Sequence, residues 1–257
     1  MPRSRHGGRH ELGQNFLSHT PTIARIVDLV SATSGPILEI GAGDGALTRR
    51  LAELNRPLTA IDIDEHRTRR LTNRFPTVQV ECADAMRYPL DSRVVVGNIP
   101  FHLTTPLLRR LLSSGEWRHA VLLTQWEVAR KRAGVGGSTM MTAQAAPWFE
   151  FSLEGRVPAT AFRPMPSVDG GILSIIRRGP PLVPGRERVA YEQFVHRSFT
   201  GRGRSLAQIL CKATGHQMPV IRRAIVRAGV PHRSLPRDLT VDQWASLWTS
   251  LGRTVSR

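Results

Sequence analysis

Cysteine, lysine and tyrosine are each present only twice in the 257 residues, and aromatic residues make up 6%. Two cysteines, Cys82 and Cys211, are too few for a disulfide scaffold or a cysteine zinc site. The nearest histidine pair, His6 and His10, lies in a glycine-containing basic segment, so no metal is expected. No stretch approaches the roughly 18 apolar residues of a membrane helix, and Met1-Pro2-Arg3-Ser4-Arg5 begins no apolar leader, so a cytoplasmic protein without membrane association is expected. Internal repeats and long low-complexity tracts are absent. The lysines are Lys131 and Lys212 alone, so nearly all of the 36 cationic residues are arginine, against 20 acidic ones. Arginine forks pair bidentately with phosphate and stack on bases. A formal charge of +16 therefore points to a polyanionic partner, with a solvated arginine-rich surface as the alternative.

What is present has a clear order. Residues 1–13 carry arginine and glycine without periodicity and read as a basic flexible arm. From Pro21 to Ala32, the residues Ile23, Ile26, Val27 and Val30 share one helical face. Short apolar strands then alternate with helical segments: Ile37–Ile40, a helix after Gly45, Leu58–Ile63, a helix from Glu65, Val78–Glu81, Val94–Gly97, a helix after Pro106, and Val121–Thr124. Such alternation predicts an α/β fold with a parallel sheet covered by helices on both faces. Phe149–Val157 and Ile172–Ile176 would add an antiparallel pair at the edge and complete seven strands.

The punctuating run Gly179-Pro180-Pro181-Leu182-Val183-Pro184-Gly185 ends the strand signals. The expected organisation is a catalytic domain over 14–179, a linker at 180–184 and a small all-helical domain over 185–257. The last segment carries thirteen Lys/Arg against four Asp/Glu, which suits a share in holding nucleic acid.

Two segments carry chemistry. Glu39-Ile40-Gly41-Ala42-Gly43-Asp44-Gly45 follows a strand, and its glycines let backbone approach a nucleoside cofactor. By itself this also fits a nicotinamide dinucleotide. Acids at three successive strand ends shift the reading to S-adenosylmethionine. Glu39 can act through water or backbone on an ammonium group, Asp62 can accept two ribose hydroxyls, and Asp84 can accept an adenine amino proton. Singly, each acid reads equally well as a loop carboxylate or helix cap.

Downstream, Asn98-Ile99-Pro100-Phe101 closes the strand Val94-Val95-Val96-Gly97. An exocyclic base nitrogen is a poor nucleophile because its lone pair is delocalised into the ring. Two fixed acceptors, the Asn98 side-chain oxygen and the Ile99 carbonyl, would localise that pair, with Pro100 stiffening the turn and Phe101 stacking on the base. No strong general base is required. A base inside a duplex cannot reach such a pocket, so the substrate is expected flipped or unpaired. Phe162 is a candidate second stacking face, or else a core ring. Arg67, Arg69, Arg70 and Arg74 on one helix, and Arg130-Lys131-Arg132, are candidate RNA contacts.

These residues resemble the ribosomal RNA adenine-N6 methyltransferases from Gly13 through the helical tail. Gly13-Gln14-Asn15-Phe16-Leu17 is similar to the family's opening motif, which implies cofactor roles for Gln14, Asn15 and Leu17. Glu39 to Gly45 matches its glycine motif, Asp62 followed by Ile63 its ribose acid, Asp84 followed by Ala85 its adenine-binding acid, and Asn98 to Phe101 its catalytic motif, with Asn98 also against the cofactor. Phe162-Arg163-Pro164-x-Pro166-x-Val168 matches its aromatic-proline segment.

Asn-Ile-Pro resembles the Erm, or erythromycin-resistance, branch; the KsgA-like housekeeping branch typically shows Asn-Leu-Pro-Tyr. The resemblance implies a Rossmann-like methyltransferase fold and S-adenosyl-L-methionine as cofactor. It also implies N6-methylation of an unpaired adenine in unassembled large-subunit rRNA, with resistance to macrolides, lincosamides and streptogramin B. Phe101 stands where tyrosine is common, and Asp62 where glutamate is more usual. The alternatives are a small-subunit rRNA dimethyltransferase and a non-catalytic RNA-binding assembly or transcription factor. A monomer is expected.

Overall fold

The computed structural model describes residues 15–252; the expected arm at 1–13 and Gln14 lie outside them. A short strand β1 (Phe16–Leu17) leads into α1 (Thr20–Ser31). Then follow β2 (Ile37–Ile40), α2 (Ala46–Ala52), β3 (Leu58–Asp62), α3 (Glu65–Arg74), β4 (Gln79–Cys82) and β5 (Val94–Asn98). Next come α4 (Thr104–Ser113), β6 (His119–Gln125), α5 (Trp126–Arg132), α6 (Met140–Ala145), β7 (Phe149–Val157), β8 (Phe162–Arg163) and β9 (Gly170–Arg177). The remainder is helical: α7 (Arg188–Thr200), α8 (Leu206–Thr214), α9 (Met218–Arg227) and α10 (Val241–Leu251).

Seven strands form one sheet in the order β4-β3-β2-β5-β6-β9-β7. The pairs β2–β3, β2–β5, β3–β4 and β5–β6 are parallel, and β9 runs antiparallel to β6. This is the mostly parallel seven-stranded α/β sheet that the alternating pattern predicts. All four residues of β2 and Val94–Val96 of β5 are buried, as strands covered on both faces must be. Helix α1 turns one apolar face inward, with Ile23, Ile26, Val27 and Val30 buried.

The chain runs outward through β2, β3 and β4 and then returns to place β5 on the other side of β2. Neighbouring loops diverge at such a reversal and leave a crevice at the carboxyl ends of the strands. Register puts Ile40 beside both Ile61 and Gly97, and Asp62 beside Cys82. The segments after β2, β3, β4 and β5 therefore leave the sheet from one edge. Gly97 permits the closest approach, since a Cβ there would meet the Ile40 carbonyl oxygen at 2.4 Å.

The helical unit does not begin where the proline-rich run predicts. The described residues form two compact units, 15–129 with 152–176, and 130–151 with 177–252. The second unit takes α6 from between two sheet strands because α7 supplies its partners. Tyr191 Oη donates to the Ala143 carbonyl (3.0 Å), and Gln144 Nε2 donates to that of Glu192 (2.9 Å). The 180–184 segment is packed into the same unit, with Val183 buried and Leu182 N donating to Pro147 O (2.9 Å). Composition marks the loss of strands at 179 but carries no trace of this discontinuity. Also unforeseen are α5, α6 and a two-stranded antiparallel sheet of β1 with β8, which pairs Leu17 with Phe162.

Candidate active site

The loop after β2 turns on glycine. Gly41 and Gly43 have φ of 71° and 56°, a region that costs side-chain-bearing residues roughly 1 kcal/mol or more. Gly43 N donates to Asp62 Oδ2 (2.8 Å) and Asp64 N donates to Asp62 Oδ1 (2.9 Å). Asp62 thus ties the glycine loop to the end of β3 while keeping lone pairs for a ligand. Burial pushes its carboxyl above the usual range, opposed by those two N–H groups and by the Arg67 charge. Asp64 in turn caps α3, accepting from His66 N at 2.9 Å and Arg67 N at 3.3 Å.

Glu39 lies deeper, 1% exposed. Burial, aided by the Asp62 charge and opposed by Thr48, pushes its carboxyl up to about 8. Its Oε2 has no hydrogen-bond partner among the described residues. A buried polar atom without a partner is costly, so this one, on a carboxyl that keeps its proton at neutral pH, favours an arriving hydrogen-bonding group. Asp84 accepts from Met86 N through Oδ1 (2.8 Å), which fixes the carboxylate at the end of β4. A deep acceptor, an anchored acid and a third acid along one edge fit a ligand that carries an ammonium group, a ribose diol and an adenine.

At the end of β5, Asn98 Nδ2 donates to the Asn15 carbonyl (2.7 Å). That bond sets the amide orientation and leaves Oδ1 as the acceptor. Ile99 N donates to Leu123 O of β6 (2.9 Å), and Leu103 N to Pro100 O (2.9 Å), so the turn is held on both sides.

Two adjoining cavities share Gly41, Asp62, Ile99 and Pro100. One, about 360 Å³ with its open mouth, adds Asn15, Phe16, Gly43, Asn98 and Phe101. The other, about 500 Å³, adds Ile63, Asp84 and Ala85 with apolar walls from Met86, Leu103 and Leu107. Most expected site residues thus meet in one crevice. Phe16, Met86, Leu103 and Leu107 were missed. Their signal is generic: one is a residue of the opening motif read without a role, and the others are apolar residues just past a strand or turn.

Three expected residues sit elsewhere. Leu17 is buried in the core, and Glu39 is buried and lines neither cavity. Phe162, 1% exposed, presents its ring edge-on to Phe101 with centroids 6.4 Å apart at 75°. It backs Phe101 and lines neither cavity, because its pairing in β8 turns it into the apolar core.

Arg67 also departs from its expected place as an RNA contact. It is 9% exposed, with its guanidinium 4.2 Å over the Phe16 ring. It is ion-paired to Asp44 through Nη1 and to Asp64 through Nε (3.2 Å). It braces the glycine loop, α3 and the segment carrying Asn15. In the 130–132 cluster, Arg130 Nη1 donates to Val135 O (3.3 Å) and Arg132 Nη1 to Thr139 Oγ1 (2.7 Å), which ties these side chains to the following loop.

Among the described residues, no group of three or more His, Cys, Asp or Glu is arranged to hold a metal, and no helix is long and apolar enough to cross a membrane.

Residues 5–251 match the ribosomal RNA adenine dimethylase family. The chain belongs to this family. It is an rRNA adenine-N6-methyltransferase. Over 247 residues it is 51% identical to mycinamicin-resistance protein MyrB of Micromonospora griseorubida, covering 94% of this chain and 78% of that one. Over 207 residues it is 54% identical to an rRNA adenine N-6-methyltransferase of Corynebacterium diphtheriae, covering 79% and 82%. Ribosomal RNA small subunit methyltransferase A of Cutibacterium acnes is 31% identical over 262 residues, covering 94% and 88%. The crystal structure of the 23S rRNA methyltransferase ErmE superposes with a TM-score of 0.84 at 31% identity, covering 92% of this chain and 99% of that one.

Proposed function

We propose that this methyltransferase uses S-adenosyl-L-methionine to methylate N6 of one unpaired adenine in large-subunit rRNA. It acts in the cytoplasm as a monomer, before ribosome assembly buries the target, and the product confers resistance to macrolides, lincosamides and streptogramin B. The observation that carries the chemistry is Asn98, with its amide nitrogen engaged by Asn15 and its oxygen left as an acceptor in a cavity-lining residue. The choice of subunit rests on the superposition with the 23S rRNA methyltransferase ErmE at a TM-score of 0.84, supported by 51% identity to a mycinamicin-resistance protein against 31% to a small-subunit enzyme.

When bound, the cofactor supplies a methyl group made electrophilic by a positively charged sulfur. The residues of the chain do the rest. Asp62 accepts the ribose hydroxyls, and Asp84 the adenine amino group, between Ile63, Ala85 and the apolar walls. Glu39 serves the ammonium end, Gly41 and Gly43 let backbone approach, and Asn15 lines the near side, with Leu17 buried in the core two residues on. Asn98 Oδ1 and the Ile99 carbonyl accept the two N–H bonds of the target amino group and localise its lone pair. Phe101 stacks on the base, with Phe162 behind it. The target nitrogen would become acidic as its bond to the methyl carbon replaces the carbon–sulfur bond, whose electron pair stays on sulfur, and would lose its proton to solvent without a strong base. Orientation is then the main lever, worth about 7–11 kcal/mol at most. The basic helical unit adds non-specific attraction for RNA. Methyl groups on the target adenine add bulk and remove N–H donors, either of which weakens a drug that contacts it.

The test is transfer of labelled methyl to protein-free large-subunit and small-subunit rRNA, offered separately, with the modified base mapped. Label on a single large-subunit adenine is expected; label confined to small-subunit RNA moves the enzyme to the maturation branch. Asn98→Ala should lower the turnover number about 10²–10³-fold, on the scale of removing one transition-state hydrogen bond. Full retention of activity would overturn the mechanism.

A further inference from the structure

The arginines of α3 divide into distinct roles. Arg67 is turned inward, and Arg69 pairs with Glu65 at 2.7 Å along the helix surface. Arg70 and Arg74 are exposed and have no acidic partner among the described residues. With Gly43, Asp44, Arg67 and Leu71 they line a cleft of about 270 Å³ including its open mouth. Gly43 also lines the cavity that holds Asn98 and Phe101, so this cleft adjoins the catalytic crevice through the glycine loop.

The cleft has the chemistry of an anion site. Two arginines at i and i+4 repel, at a cost of about 0.2–0.5 kcal/mol to a helix, and no ion pair of either residue offsets that among the described residues. Arg74 lies with Cζ 5.3 Å over the Phe75 ring, which limits its freedom. Asp44 is a cleft residue, but its ion pair with Arg67 lessens the repulsion it offers to an incoming anion. Two guanidinium forks on one wall match the oxygens of a tetrahedral phosphodiester. We propose that this cleft holds a backbone phosphate of the substrate RNA near the target adenine, with Arg70 and Arg74 as its anchors. The proposal rests on the reading of the substrate as RNA and adds where, beside the cofactor loop, the strand is gripped. It also separates these two residues from Arg67 and Arg69, which share their helix but not their task.

The experiment compares wild type, the double variant Arg70→Ala with Arg74→Ala, and Arg69→Ala, each in the full chain. Affinity for protein-free large-subunit rRNA is measured across a salt series, and S-adenosylmethionine affinity by calorimetry. The double variant should bind RNA about tenfold more weakly, as expected for lost bonds to a charged group. The slope of log affinity against log salt should shrink by about 1, one phosphate contact. Cofactor affinity should stay at the wild-type value, which also shows that the variant is folded, and Arg69→Ala should match wild type in every measurement. An unchanged salt slope in the double variant would overturn the proposal, as would weakened cofactor binding with RNA affinity intact, which would assign the cleft to the cofactor carboxylate. Methyl transfer is not the readout, so a failed methylation assay overturns the proposed function while the salt slope still decides the cleft.

Discussion

The sheet unit and the helical unit build their interiors from different side chains. The sheet core is made largely of branched aliphatics such as Ile26, Ile37, Val94, Val96 and Leu123. The helical unit is centred on rings: Tyr191 meets Trp148 and Trp248 edge-on, and Phe194 contacts Trp244 and Trp248, with centroids 5.5–5.8 Å apart. Branched residues suit parallel strands because they pack on a pleated surface from both faces. The strand ends are then left free for Asp62 and Asn98. Short helices have no ladder joining them, and a few large rings supply the contact area that holds them together. One unit distributes its stability over many small contacts and concentrates its polar groups at one edge. The other adds a cluster of contacting rings to its buried aliphatics, such as Leu210, Ile221 and Leu247, and carries many arginines.

This contrast can be broken at three points. Phe194→Ala should cost the most, about 3–5 kcal/mol, because a fully buried ring shared by two tryptophans leaves a cavity that short helices cannot close; urea unfolding followed by far-UV circular dichroism measures it. Replacement of one aliphatic among many, such as Val94→Ala, should cost less in the same assay, and the reverse ranking would defeat the comparison. Gly97→Ala should cost about 1–3 kcal/mol by forcing β5 away from the Ile40 carbonyl. It should also lower activity through the displaced Asn98, so a shift in the urea midpoint with full activity would show that the strand end is positioned independently.

The smallest effect at any single pH step belongs to Glu39→Gln. The folded carboxyl is raised from 4.5 to about 8, so between those values the folded state holds a proton that the unfolded chain has released. Stability is therefore full below about pH 4.5 and falls as pH rises towards 8, by at most about 1.4 kcal/mol per unit. Glutamine removes the titration, and the variant's denaturation midpoint should lose that component of its slope across this window. An unaltered slope would mean that Glu39 is ionised in the folded protein.

Local pattern was enough for most of the sheet, because hydrophobic strands and glycine turns announce themselves within a few residues. The crevice was legible to the same extent: Asp62 and Asn98 each end a mostly apolar strand and Asp84 follows the expected strand between them, so their shared edge follows once the strands are parallel. Phe162 was not legible, since a ring that stacks on a ligand and a ring that backs its neighbour have the same letter and the same flanking prolines. The role of Arg67 was hidden for a related reason. Its partners Phe16 and Asp44 lie 51 and 23 residues away, and helical spacing alone groups it with the exposed arginines.

The amino-acid sequence by itself determined the α/β class, the order of the strands along the chain, the basic character and which polar residues follow the strand ends, because each depends on composition or on neighbours within one element. Only the tertiary structure decided that Asn15 orients Asn98, that 130–151 joins the helical unit, and that Arg67 turns inward while Arg70 and Arg74 face a cleft. Those outcomes depend on groups far apart in the chain competing for the same buried space, and no local pattern records which of them wins.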